Sequence, residues 1–122
     1  MGGGAGESFS RRLRLTRADE YRQVFKDNTR RSDSCMTILV GRCQGECPRL
    51  GFAIARKQVP KAVQRNALKR LFRESFRRNR TRLPSRDMVI MVKRDILALD
   101  RERIRTRLDQ HWNSIIESCD KS

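Results

Sequence analysis

Long apolar runs are missing from these 122 residues. No stretch approaches the roughly 20 residues that cross a bilayer, and the N-terminus lacks the apolar core of a secretory signal, so a cytoplasmic protein without a membrane span is expected. Histidine occurs once, as His111, and with no cysteine or serine partner in view it reads as structural or exposed. The acids Asp87, Asp95 and Asp100 are too spread to suggest a two-metal centre. Catalysis by clustered carboxylates or a histidine pair is therefore not expected, and no catalytic residue or metal ligand is assigned. The cysteines, Cys35, Cys43, Cys47 and Cys119, do not form two paired motifs. Cys43-x3-Cys47 alone is a weak zinc signal, and free thiols in a reducing compartment are the reading. No internal repeat is evident.

Negative charge is also scarce. Asp and Glu number 14 against 29 Lys and Arg, for a net charge of +15. The length suits one domain with one core, and 37% hydrophobic against 35% charged residues is polar but periodic enough to fold. Residues 1–10, with Gly2, Gly3, Gly4 and Gly6, read as a flexible leader, 11–118 as the domain and 119–122 as a tail.

The pattern along the domain predicts α+β organisation in the order α-β-β-α-β-α. Thr16 is placed to cap a helix, with Asp19 three residues on, and Ala18, Tyr21, Val24 and Phe25 follow at helical spacing until about Asp27-Asn28. Cys35 to Arg42 is β-rich. Arg49 to Lys57 alternates bulky Leu50, Phe52 and Ile54 with small Gly51, Ala53 and Ala55, so one strand face can be approached closely, either by a packed helix or as the floor of a groove. Pro60 suits the first turn of a helix that ends before Leu83-Pro84-Ser85. Met88 to Val92 reads as a strand covered on both faces. Asp100 is placed to cap a last helix whose buried stripe is Ile104, Leu108, Trp112, Ile115 and Ile116.

The basic helix is the most informative element. At ~100° per residue, Arg65, Asn66, Lys69, Arg70 and Arg73 share a sector of about 140°, extended by Arg77 and Arg80, while Ala67, Leu68, Leu71, Phe72 and Phe76 point largely elsewhere. From Arg56 to Arg82 there are eleven Lys or Arg against one acid, Glu74. Arg65, Lys69, Arg73 and Arg77 form an i,i+4 ladder of like charges, each pair repelling by a few tenths of a kcal/mol. A scattered solubilising surface would mix signs. A polyanion that releases counterions on docking offsets such a concentration.

The order of elements, with Arg65-Asn66-x-x-Lys69-Arg70-x-x-Arg73-Glu74, resembles the protein component of bacterial ribonuclease P. Supporting pieces are Arg12-Leu13-Arg14-Leu15 leading into Tyr21-x-x-Val24-Phe25, the strand Leu50 to Lys57, and Asp87 opening the third strand. The family often carries Arg-Asn-Arg where this chain has Arg65-Asn66-Ala67, one cation fewer, and a Gly near Pro60. The resemblance implies a small two-layer α/β sandwich with a left-handed β-α-β crossover, against the usual right-handed rule. It implies an endoribonuclease subunit that binds a catalytic RNA, which itself holds Mg²⁺ and performs catalysis, and that assists removal of the 5′ leader from precursor tRNA over a broadened substrate range. It assigns Arg65, Asn66, Lys69, Arg70 and Arg73 to the RNA subunit. It assigns Tyr21 and Phe25 to an aromatic leader-binding cleft, Ala53 and Ala55 to its floor, and Arg56 and Lys57 to its basic rim. The residues alone leave core packing as the default for Tyr21 and Phe25. A general RNA-binding or ribosome-associated basic protein is the alternative, and a major-groove DNA reader a further one.

Overall fold

Glu20 sets the start of the first helix. The computed structural model describes residues 13–120, so the expected leader at 1–10 and the last residues of the tail lie outside the described residues. In α1 (Ala18–Lys26) the N-cap position falls to Arg17, and the Glu20 carboxylate accepts the N–H groups of Thr16 at 3.1 Å and Arg17 at 3.0 Å. The cap expected at Thr16 is thus corrected by one residue. Glu20, at the third helical position, accepts the N-cap N–H and that of Thr16, the part of the capping box expected of Asp19. At the other end Asn28 donates its side-chain amide to the carbonyls of Val24 and Phe25, which closes α1 and starts a strand.

That strand, β1 (Asn28–Ser32), adds one element to the expected order, giving α-β-β-β-α-β-α. It pairs antiparallel with β2 (Met36–Gln44), which pairs antiparallel with β4 (Arg86–Val92), which pairs parallel with β3 (Arg49–Ala53); the sheet order is β1-β2-β4-β3. β1 reads Asn-Thr-Arg-Arg-Ser. No apolar alternation announces it, and polar side chains on an edge strand discourage pairing with other chains. β3 also stops earlier than expected. Ala55 O accepts the N–H groups of both Gln58 and Val59 at 3.0 Å, so Ala55, Arg56 and Lys57 belong to a turn and not to the strand.

Between β3 and β4 runs α2 (Ala62–Asn79). A 3-10 helix (Arg94–Ala98) follows β4, and α3 (Arg101–Asp120) closes the order, its last turn reaching into the stretch expected as tail. Asp100 caps α3 through its carboxylate on Arg103 N–H at 2.9 Å. On one sheet face Ile38, Leu50, Met88 and Ile90 pack with Phe72 and Phe76 of α2 and Leu108, Trp112 and Ile115 of α3. Phe76 and Trp112 meet edge to face at 5.9 Å, and Trp112 donates its indole N–H to Ser75 Oγ at 2.9 Å. Aromatic truncation at such fully buried sites costs about 3–5 kcal/mol. The other face carries a smaller cluster, in which Leu39 and Val89 meet Leu15 and Val24, with Tyr21 and Ala53 packed against it.

Two polar clamps hold these layers. Arg49 donates to both carboxylate oxygens of Asp87 at 2.8 Å and to Glu20 at 2.6 Å, which joins α1 to the start of β4; these bonds hold its guanidinium above the ordinary range. Asp33, in the β1–β2 turn, accepts the N–H groups of Cys35 and Met36 and faces His111 Nε2 at 2.7 Å. His111 is buried and structural, so α3 is tied to the sheet edge.

Candidate nucleic-acid interface

The cationic row of α2 is one face in structure as in sequence, but its members are held differently. Asn66 and Arg70 are exposed, while Arg65, Lys69 and Arg73 are half-buried at the edge of the core. Arg65 donates Nη1 to the carbonyls of Val59 and Pro60 at 2.9 and 2.8 Å, securing the chain that enters the helix. Arg73 lies over the Phe52 ring, 5.2 Å from its centroid. Its Nε is buried with no hydrogen-bond partner among the described residues, and burial, then the nearby Arg14 charge, lowers its pKa. An arginine fixed by stacking and short of acceptors presents a pre-organised cation to an incoming phosphate.

Strand β3 serves both sides of the sheet. Leu50 and Phe52 face α2, whereas Gly51 and Ala53 face α1, as the bulky and small alternation predicts. Tyr21 exploits the small side: its hydroxyl accepts the Phe52 N–H at 3.1 Å and donates to Leu15 O at 3.3 Å. A Cβ on Gly51 would stand 2.6 Å from that hydroxyl, so the absence of a side chain is what lets the ring lie on the strand. Tyr21 is therefore anchored on the strand, so the packed-helix reading holds at Gly51. Phe25, one turn later on α1, is 44% exposed.

Beyond Tyr21 the sheet face is exposed in part, at Met91 and Ser32. Register places Ala53, Met91, Thr37 and Ser32 in a row across β3, β4, β2 and β1. Met91 is 36% exposed, against the expectation of a strand covered on both faces, and since Met88 to Val92 is apolar throughout, no alternation in the sequence marks it. Ala55, Arg56 and Lys57 lie past the strand end, all exposed. Arg94 holds their turn by donating its backbone N–H to Gln58 Oε1 at 3.0 Å and its guanidinium to Lys57 O at 3.3 Å. Tyr21 and Ala53 thus pack against one small cluster, Phe25 stands exposed near the end of α1, and Ala55, expected on the strand with Ala53, lies with Arg56 and Lys57 in the exposed turn after it. No three His, Cys, Asp or Glu side chains converge as a metal site among the described residues, and no described helix is long and apolar enough to cross a membrane.

These features define a small α+β domain with a cationic helix on one sheet face and, on the other, α1 carrying the anchored Tyr21 and the exposed Phe25. A family model described as Ribonuclease P matches residues 9–116. Ribonuclease P protein components from Thioalkalivibrio sulfidiphilus and Methylococcus capsulatus are both 40% identical, over 93% of this chain and 94% of the relative in the first case and 98% and 93% in the second. The RNase P protein structure from Thermotoga maritima superposes with a TM-score of 0.71 at 30% identity, covering 84% of this chain and 96% of that one. That from Staphylococcus aureus gives 0.75 at 20% identity, covering 84% and 94%, which speaks to the fold. The chain belongs to the ribonuclease P protein family. It is a protein subunit of that ribonucleoprotein endoribonuclease, which acts in tRNA processing, and RNA is its partner there.

Proposed function

We propose that α2 docks the catalytic RNA of ribonuclease P while the α1 cleft holds the 5′ leader of precursor tRNA, so that the protein positions substrate for cleavage by the RNA in the cytoplasm. The observation that carries this reading is the division of labour across β3, with Arg73 stacked on Phe52 above one face and Tyr21 seated on Gly51 against the other. A leader lying in the cleft is then a fixed distance from the RNA on α2. Unpaired bases stack on Tyr21 and Phe25 without regard to sequence, Met91 and Ala53 give an apolar floor, and Arg56 and Lys57 meet phosphates at the lip. This suits leaders of varied sequence and supports the broadened substrate range.

Among the described residues no three His, Cys, Asp or Glu side chains come together to hold a metal ion. Glu20 and Asp87 are committed to Arg49 and Asp33 to His111, so Mg²⁺ and the chemistry it supplies are assigned to the RNA subunit. The test is cleavage of precursor tRNA at low Mg²⁺ by RNA alone, protein alone and both, with affinity for precursor and mature tRNA measured alongside. Efficient cleavage only with both, and tighter holoenzyme binding of the precursor, are expected. Equal affinity for the two tRNAs would remove the leader from the cleft.

A further inference from the structure

Four large apolar side chains stand exposed among the described residues, and they divide between two regions. Phe25 and Met91 belong to the cleft. Val63, 80% exposed, and Leu97, 41% exposed, do not. Val63 lies one turn before Ala67 on α2. Ala67 and Leu97 line a hollow of about 210 Å³ floored by Leu68, Leu71 and Ile104, with Gln64 and Arg101 among its polar lining. A second hollow of about 180 Å³ shares Ala67, Leu71 and Arg101 and adds Arg70, Glu74 and Arg105. The two form one groove along the α2–α3 seam.

Its rim is cationic. The one acid there, Glu74, is bonded to Arg105 at 3.1 Å, whereas Arg70 and Arg101 pair with no acid among the described residues. Arg70 also belongs to the cationic row, so a polyanion following that row reaches the groove at this residue. An apolar floor, one amide able to donate and accept, and guanidinium groups at the rim match a nucleobase joined to its phosphates.

We propose that this groove takes an unstacked nucleobase of the RNA bound along α2, with Leu71 and Leu97 against the base, Gln64 at its edge, and Arg70 and Arg101 on the adjoining phosphates. This rests on the reading of α2 as an RNA-binding face and adds to it an apolar subsite. The small side chain of Ala67 is what leaves the groove open.

The test uses the full protein and the catalytic RNA of ribonuclease P from the same cell. Ala67→Leu fills the groove and removes no charge; residue 67 is exposed and leucine is a good helix former, so the fold is retained, as circular dichroism checks. Its Kd for the RNA is expected to rise about tenfold, the scale of one lost base contact, with the salt dependence unchanged. Lys69→Ala should instead lower the salt slope by about one contact. A photo-crosslinking side chain at position 97 should join one unpaired nucleotide of the RNA. Unchanged affinity in Ala67→Leu, with Lys69→Ala still weakened, would overturn the subsite, leave the groove to a protein partner and keep α2 as the RNA face. No effect from either substitution would remove α2 itself from the interface.

Discussion

Tyr21 lies on β3 only because residue 51 is glycine. The hydroxyl stands 2.6 Å, and the ring carbons 2.8 and 2.9 Å, from where a Cβ at 51 would be. These separations are too short for any carbon, and the obstructing atoms sit in a ring held by two hydrogen bonds. Gly51→Ala is expected to displace Tyr21 and to destabilise the fold by about 1–3 kcal/mol, the usual cost of overpacking. Tyr21→Ala should relieve that clash, so Gly51→Ala becomes nearly neutral in its background. Denaturant unfolding of the two single variants and the double variant measures the coupling. Additive effects would show that the contact does not govern the cleft wall.

Phe25 and Tyr21 separate binding from stability. Phe25 is exposed at 44%, so Phe25→Ala should change stability by less than about 0.5 kcal/mol while weakening precursor tRNA binding by about 1–3 kcal/mol. Binding of mature tRNA should be unchanged. Tyr21→Phe leaves the partly buried Phe52 N–H without its acceptor, which costs about 1–3 kcal/mol of stability. A Phe25→Ala protein that bound precursor and mature tRNA as the wild type does would take the first aromatic out of the leader site.

Why some of this was legible in the sequence and some was not follows from which physical signals are local. Helix α2 announced itself through periodicity and charge, and the small face of β3 through the spacing of Gly51, Ala53 and Ala55. β1 was invisible because an edge strand of polar residues takes its stability from pairing with β2, a non-local contact. The end of β3 was misplaced because alternation continues through Ala55 into a turn fixed by Arg94, which comes from beyond the next strand. Met91 shows the same limit. Its run is apolar throughout, and only the length of α1 decides which part of the sheet face stays uncovered.

Arg73 and Arg70 should respond differently to truncation although both lie in the cationic row. Arg70→Ala removes an exposed charge and should lower the salt slope of RNA binding by about one contact with stability intact. Arg73→Ala should lower the slope similarly and also destabilise the protein by about 0.5–2 kcal/mol, since the guanidinium stacks on Phe52. Arg73→Lys should restore the charge but not the planar stack. Salt titrations of affinity beside thermal unfolding distinguish these outcomes. Equal stability of all three variants would mean that the stacking contributes nothing to the fold.

Asp33 gives the structure an acid-sensitive tether. Burial by itself would raise its carboxyl pKa, but the N–H groups of Cys35 and Met36 and the His111 ring outweigh burial and hold it below its ordinary value of 3.8. The native state therefore binds fewer protons at this site than the unfolded chain, and stability rises with pH through that window. The contribution is complete above the ordinary value and is lost as pH falls through the depressed native one. Asp33→Asn keeps an oxygen for the two backbone donors but removes the charge facing His111 at 2.7 Å and Arg107 at 3.5 Å. The Tm gap between wild type and Asp33→Asn should be steady above about pH 5 and should narrow below about pH 4. A gap that stayed constant down to about pH 2.5 would show that no ionised carboxylate fastens α3 to the sheet edge.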